Sequence, residues 1–211
     1  MSTRIAICDY GVGNIRSVER AVIAAGAVAQ LSRDPAVIAA ADGLILPGVG
    51  AFGAAVDALH SAGLARSVVD YASSGRPLLG VCLGFQLLFE WSDESGGRRG
   101  LGLLPGSVIR MVPGDGRKVP HMGWNQLRMH RQHAITEGLR EGAYVYFVHS
   151  YAARAEGTTV IATCDYGGDI PAVCASGNVV GTQFHPEKSG DDGLRIYANF
   201  VSACSTTAAV R

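Results

Sequence analysis

Neither sign of charge prevails in this chain: eighteen Lys and Arg face eighteen Asp and Glu among 211 residues. Such a balance argues against broad electrostatic binding to nucleic acid or anionic membranes. No apolar run approaches the length of a membrane span. Met1 leads straight into a short apolar strand, so no cationic leader with a long apolar segment is read. Cysteine is scarce and odd in number (Cys8, Cys82, Cys164, Cys174 and Cys204), without a C-x-x-C pair. That pattern suits a reducing compartment and speaks against a disulfide framework or a cysteine zinc site. No H-x-x-x-H pair or acidic cluster of metal-ligand type occurs, and neither metal nor cofactor is expected. The absences describe a soluble, cytoplasmic protein.

What is present reads as one mixed α/β domain over residues 1–204, without internal repeats, followed by a frayed tail, residues 205–211. The first ninety residues alternate strand and helix. Ile5–Cys8 and Gly43–Leu46 are buried strands. Asn14 can cap a helix with Ile15, Val18, Val22 and Ala25 on one face, and Gly26 closes it. Helices are expected near Ala54–His60 and Leu64–Ser73. Near-continuous apolar strands between helices indicate a parallel sheet covered on both faces. Beyond Glu90 the texture changes. Asp93–Gly100 is a polar loop, and strands are read at Ser107–Val112, Tyr144–Val148, Val160–Cys164, Ala172–Ala175 and Val179–Phe184. A last helix runs from Leu194 to about Cys204.

The chemistry centres on Gly80-Val81-Cys82-Leu83-Gly84. The apolar run Pro77–Val81 is a short strand and Gln86–Glu90 reads as the start of a helix, which makes the segment a cysteine version of the nucleophile elbow. Gly80 and Gly84 permit close packing around a strained turn. Helix N-terminal N–H groups favour a thiolate there. The bland alternative is a buried core cysteine. A base is offered by His185-Pro186-Glu187, immediately after the last strand. In an extended segment Glu187 faces the same way as His185 and can orient its ring. Strand ends of an α/β sheet converge on one edge, so His185 can reach Cys82. An ordinary turn with a solvated glutamate is the competing reading. Oxyanion donors are offered by Leu83 N–H and by the segment Pro47-Gly48-Val49-Gly50, which lacks the Lys-Ser/Thr ending of a phosphate loop.

The remaining histidines say less. His60, His130 and His133 read as surface residues. His121 and His149 could be satisfied core rings, and spacing does not decide.

Taken together, Gly80–Gln86 with His185–Glu187 resembles the class I, triad-type glutamine amidotransferases. Asp9–Asn14, Pro47–Gly50, Pro120–Asn125, Tyr146–Tyr151 and Gln183–Ser189 are similar, in order, to the glutaminase subunits of imidazole glycerol phosphate synthases. The resemblance spans residue 5 to about 203. Phe85 departs from the methionine usual there, without expected consequence. The resemblance implies a flavodoxin-like three-layer fold with a mixed, mainly parallel sheet, and hydrolysis of L-glutamine through a thioester on Cys82. It implies His185 as base and acid, Glu187 as its orienting group, and Val49 and Leu83 as oxyanion donors. Gly48, Gly50, Gln86, Ser150 and Tyr151 would hold glutamine. The ammonia would pass to a (β/α)8-barrel cyclase in a heterodimer that serves histidine biosynthesis. Asn14, Met122, Trp124 and Lys188 would lie at that interface or along the ammonia path. Rival readings are a glutaminase feeding another synthase and a redox or peptide-handling protein of the same fold; the paired His185 and Glu187 disfavour the second.

Overall fold

The computed structural model of the chain describes residues 2–112, 114, 116–155 and 157–209. Alternation along the strands decides the architecture. In the strand Arg4–Cys8, Ile5 and Ile7 join one apolar core while Ala6 and Cys8 join the other. Gly43–Leu46 and Leu78–Val81 divide in the same way: Ile45, Leu79 and Val81 face the first core, and Leu44, Leu46 and Leu78 the second. Both faces are apolar because both are covered. Val18 and Val22 of the helix Ile15–Ala24, with Ile196, Tyr197 and Phe200 of the helix Gly190–Ala209, fill the first side. Ile38 of Pro35–Ala40, Phe52 and Leu59 of Phe52–Ser61, and Leu64 and Val68 of Leu64–Ser73 fill the second.

Among the described residues the main sheet has eight strands. Their order is Val28–Ser32, Arg4–Cys8, Gly43–Leu46, Leu78–Val81, Val179–Thr182, Asp169–Ser176, Val160–Asp165 and Arg128–Met129. The first five pair in parallel and the last three join antiparallel, the mixed sheet that was expected. A second sheet holds Tyr151–Arg154, Leu104–Arg110, Phe89–Ser92 and Arg98–Arg99, and His121–Gln126 pairs with Tyr144–His149 as a two-stranded ribbon.

Several expectations need correction. Gln86–Glu90 does not begin a helix. The helix is Leu83–Leu87, starting directly after Cys82, and Phe89–Ser92 is a strand beside Leu104–Arg110. Leu87, Leu88 and Phe89 are all fully buried, and a short apolar run carries no period that separates helix from strand. Asn14 precedes its helix, but its side chain makes no capping bond among the described residues; its carbonyl accepts from Ser17 N–H instead. Gly26, at φ +87°, does close that helix. The polar loop after Ser92 contains a 3-10 turn, Glu94–Gly96, and the short strand Arg98–Arg99. The last helix extends to Ala209, through most of the segment expected to fray, and Thr3 and Ser205 share a hydroxyl–hydroxyl hydrogen bond. Residues 210 and 211 lie outside the described part.

Candidate active site

Leu78–Val81 and Val179–Thr182 are neighbouring parallel strands, with Val81 opposite Thr182. Cys82 stands one residue past that register and His185 three, so both emerge at the same carboxyl edge. The chain turns sharply at Cys82, whose φ of 54° and ψ of −109° are rare for any residue but glycine. Its N–H is anchored to Thr182 O at 2.8 Å. The turn depends on close approach: a Cβ on Gly84 would strike the Leu46 carbonyl oxygen. Since the helix after Cys82 has only five residues, little macrodipole is available, and the charge partner for the sulfur is the His185 ring.

His185 reaches Glu187 differently from the extended segment expected. Pro186–Lys188 forms a 3-10 turn with Pro186 at its first position, where its fixed φ suits a helix start. Across this turn His185 Nδ1 donates to Glu187 Oε1 at 2.7 Å, both side chains being almost wholly buried. Tyr197 donates its O–H to the other carboxylate oxygen at 3.3 Å. Ser189 holds the turn, donating to His185 O at 2.6 Å and accepting from Tyr146 N–H at 3.0 Å. His185 Nε2 is buried without a hydrogen-bond partner among the described residues, which leaves it to the Cys82 side. Burial opposes a charged His185 ring, yet interaction with Cys82 and then Glu187 outweighs it and holds the pKa at about 10. Burial pushes Cys8, Cys164, Cys174 and Cys204 up to about 12, so these four remain inert thiols.

Cys82 and His185 open into one cavity of about 470 Å³. Val49, Leu83, Gly50, Gln86, Ser150 and Tyr151 also line it. Gly48 does not reach the cavity. It is wedged where a Cβ would meet Tyr10 Oη and Gly84 N, and its carbonyl accepts from Leu83 N–H at 3.4 Å. A trans peptide points its N–H opposite to its C=O, so Val49 N–H faces away from Leu83. Asn14, Met122, Trp124 and Lys188 lie outside the cavity. All four are exposed, Met122 at 62% and Trp124 at 56%. Trp124 meets the Tyr146 ring at 6.1 Å, and Lys188 Nζ stands 5.8 Å above that same ring.

Four cavity or supporting residues were not foreseen: Glu94, Arg110, His149 and Tyr197. Glu94 and Arg110 give the cavity one acidic and one basic side chain, and Glu94 Oε2 accepts from Phe52 N–H at 2.8 Å. Glu94 lies in a polar loop and Arg110 in a strand-like run, and charge was their only sequence signal. His121 and His149, left undecided above, are buried and hydrogen-bonded to each other at 3.0 Å. His60 and His130 are exposed, whereas His133 is half-buried and accepts from Ile135 N–H. Among the described residues no group of three His, Cys, Asp or Glu is placed to hold a metal ion. Nor is any helix there long and apolar enough to cross a membrane.

Residues 6–204 match the family described as glutamine amidotransferase class-I. Curated relatives include the imidazole glycerol phosphate synthase subunit HisH of Natronomonas pharaonis, 49% identical over 212 residues, with 96% of each chain covered. The protein of that name from Methanosarcina mazei is 47% identical over 204 residues, covering 95% of this chain and 99% of the relative. Among solved structures, one described as a glutamine amidotransferase superposes with a TM-score of 0.75 at 24% identity, covering 95% of this chain and 98% of the other. PurLQS from Thermotoga maritima gives 0.75 at 20% identity, covering 96% and 99%. These two likenesses concern the fold alone.

Proposed function

The chain belongs to the class-I glutamine amidotransferases, and within them to the HisH subunits of imidazole glycerol phosphate synthase; from that premise we propose that Cys82, His185 and Glu187 form its hydrolytic triad. The observation that carries this reading is the buried 2.7 Å bond from His185 Nδ1 to Glu187 Oε1, with Nε2 left to the cavity that Cys82 shares.

Cys82 Sγ attacks the side-chain carboxamide carbon of L-glutamine. The thiol proton passes to His185 Nε2, and the raised pKa of the ring favours holding it there. The tetrahedral intermediate collapses as His185 gives that proton to the departing ammonia, leaving a γ-glutamyl thioester. His185 then takes a proton from water, whose oxygen attacks the thioester carbon, and glutamate leaves as Cys82 is restored. Glu187 fixes the Nδ1–H tautomer and stabilises the ring's charge. Tyr197 satisfies the second carboxylate oxygen, which would otherwise be a buried, unpaired acceptor. Glu94 and Arg110 are matched in charge to the α-ammonium and α-carboxylate of an amino acid.

The oxyanion needs Leu83 N–H and Val49 N–H together. Here Leu83 is taken by the Gly48 carbonyl and Val49 points away, so the Gly48–Val49 peptide must turn before chemistry begins. That rotation changes ψ of Gly48 and φ of Val49, with a glycine on each side of Val49 to relieve the main chain. The chain acts as one glutaminase domain, residues 1–204, in the cytoplasm, where its five free cysteines stay reduced. Its partner is a (β/α)8-barrel cyclase, docked over Asn14, Met122, Trp124 and Lys188, which takes up ammonia before water protonates it.

An electrophilic glutamine mimic tests the reading. It is expected to modify Cys82 and no other cysteine; modification elsewhere, with Cys82 untouched, would refute the triad.

A further inference from the structure

His121 and His149 stand opposite each other on the two-stranded ribbon, and the reaction above uses neither as acid or base. Their hydrogen bonds run end to end. His149 Nδ1 lies 2.8 Å from Tyr151 O, His121 Nδ1 lies 3.0 Å from His149 Nε2, and Asn125 Nδ2 lies 3.3 Å from His121 Nε2. A carbonyl oxygen only accepts, so His149 Nδ1 carries the hydrogen. A neutral ring then accepts at Nε2, which makes His121 Nδ1 a donor and His121 Nε2 the acceptor of the Asn125 amide. The amide's orientation is set separately: Asn125 Oδ1 accepts from Gln126 N–H at 2.8 Å, and Nδ2 also donates to Asp165 O at 2.9 Å. Independent constraints thus agree on one polarity. The His121 ring is also stacked on Phe147 at 4.6 Å and on Tyr166 at 3.9 Å, which holds it in plane.

The run of bonds ends on a junction. Tyr151 O accepts from His149 and also from Gln86 Nε2 at 3.0 Å, and the preceding carbonyl, Ser150 O, accepts from Met111 N–H at 3.0 Å. Gln86, His149, Ser150 and Tyr151 all line the cavity that holds Cys82. We infer that His149, and His121 behind it, are positioning residues for glutamine: each in a single neutral tautomer, they set the Tyr151 carbonyl and through it the Gln86 amide and the Ser150–Tyr151 main chain. This rests on the glutaminase reading of that cavity. Neutrality is built into the surroundings. Burial lowers His121 to about 4, helped by His149 and Arg117; burial lowers His149 to about 4 against its bond to Tyr151, with His185 adding to the effect. A second proton on His121 would turn Nε2 into a donor facing the Asn125 N–H and break the sequence.

The test uses the chain assembled with its cyclase, and compares His149→Leu, which removes the donor, with His149→Asn, which keeps an N–H near the Nδ1 position. The expected result is a KM for glutamine raised about tenfold in His149→Leu with kcat changed less than about threefold, and a KM within about threefold of wild type in His149→Asn. Nitrogen-15 spectra of the wild-type imidazoles need no turnover and no variant; both rings are expected as neutral Nδ1–H tautomers between about pH 5.5 and 8. Equal KM values in the two variants, or Nε2–H on either ring, would overturn the inference and leave the triad standing. A wild-type complex with both rings as expected but no glutamine hydrolysis would overturn the glutaminase reading instead.

Discussion

The N–H of Leu83 is donated to the carbonyl oxygen of Gly48 at 3.4 Å, so a donor proposed for the oxyanion is already engaged. On the proposed mechanism the resting protein is held short of its reactive form by one peptide unit. Loss of a single oxyanion donor costs about 3 kcal/mol, roughly two orders of magnitude in rate, and here two donors are withheld.

The free chain should accordingly release glutamate at least about a hundredfold more slowly than the chain bound to its cyclase. Parallel assays with and without partner, at saturating glutamine, measure the ratio.

Glu187→Gln leaves the shape of the triad but removes the charge that holds His185 in its tautomer. The expected loss in kcat is about two orders of magnitude or more, with KM little changed. Tyr197→Phe, which removes only the 3.3 Å bond to Glu187, should cost about threefold to tenfold in kcat. A larger effect of the tyrosine than of the glutamate would reverse the hierarchy argued here.

Stability should respond to pH with opposite signs at the two buried histidine sites. His185 has its folded pKa raised to about 10, so its contribution is complete below the ordinary histidine value and is lost as pH climbs toward about 10. His121 and His149 are lowered to about 4. Their contribution is complete above about pH 6.5 and is lost as pH falls toward about 4. Thermal melts across both ranges check this: His185→Gln should flatten the alkaline loss, and His149→Asn the acid one.

Much of this site could be read from the chain because the relevant signals are local. The elbow is announced by an apolar strand and a cysteine between glycines, and the close approach those glycines permit is found at Gly84, where a Cβ would strike Leu46 O. The approach of His185 to Cys82 followed from both lying just beyond strands, and the strands prove to be parallel neighbours. What was missed has no local signature. Glu94 and Arg110 enter the cavity from a 3-10 turn and from the end of a strand in the second sheet, and a single charge in a polar loop or a strand does not mark a cavity. The His121–His149 bond depends on ribbon pairing across 28 positions. The helix expected at Gln86–Glu90 failed because Leu87, Leu88 and Phe89 bury without periodicity, and packing against Leu104 decided for a strand. The straight His185–Glu187 segment failed because Pro186 opened a 3-10 turn.

The most direct trial of the account is Cys82→Ser in the assembled enzyme, with product formation measured from glutamine and from ammonium salt side by side. Synthesis from glutamine should fall by about three orders of magnitude or more while synthesis from ammonium stays near the wild-type rate. Substantial glutamine-dependent synthesis by the serine variant would contradict the account at its centre.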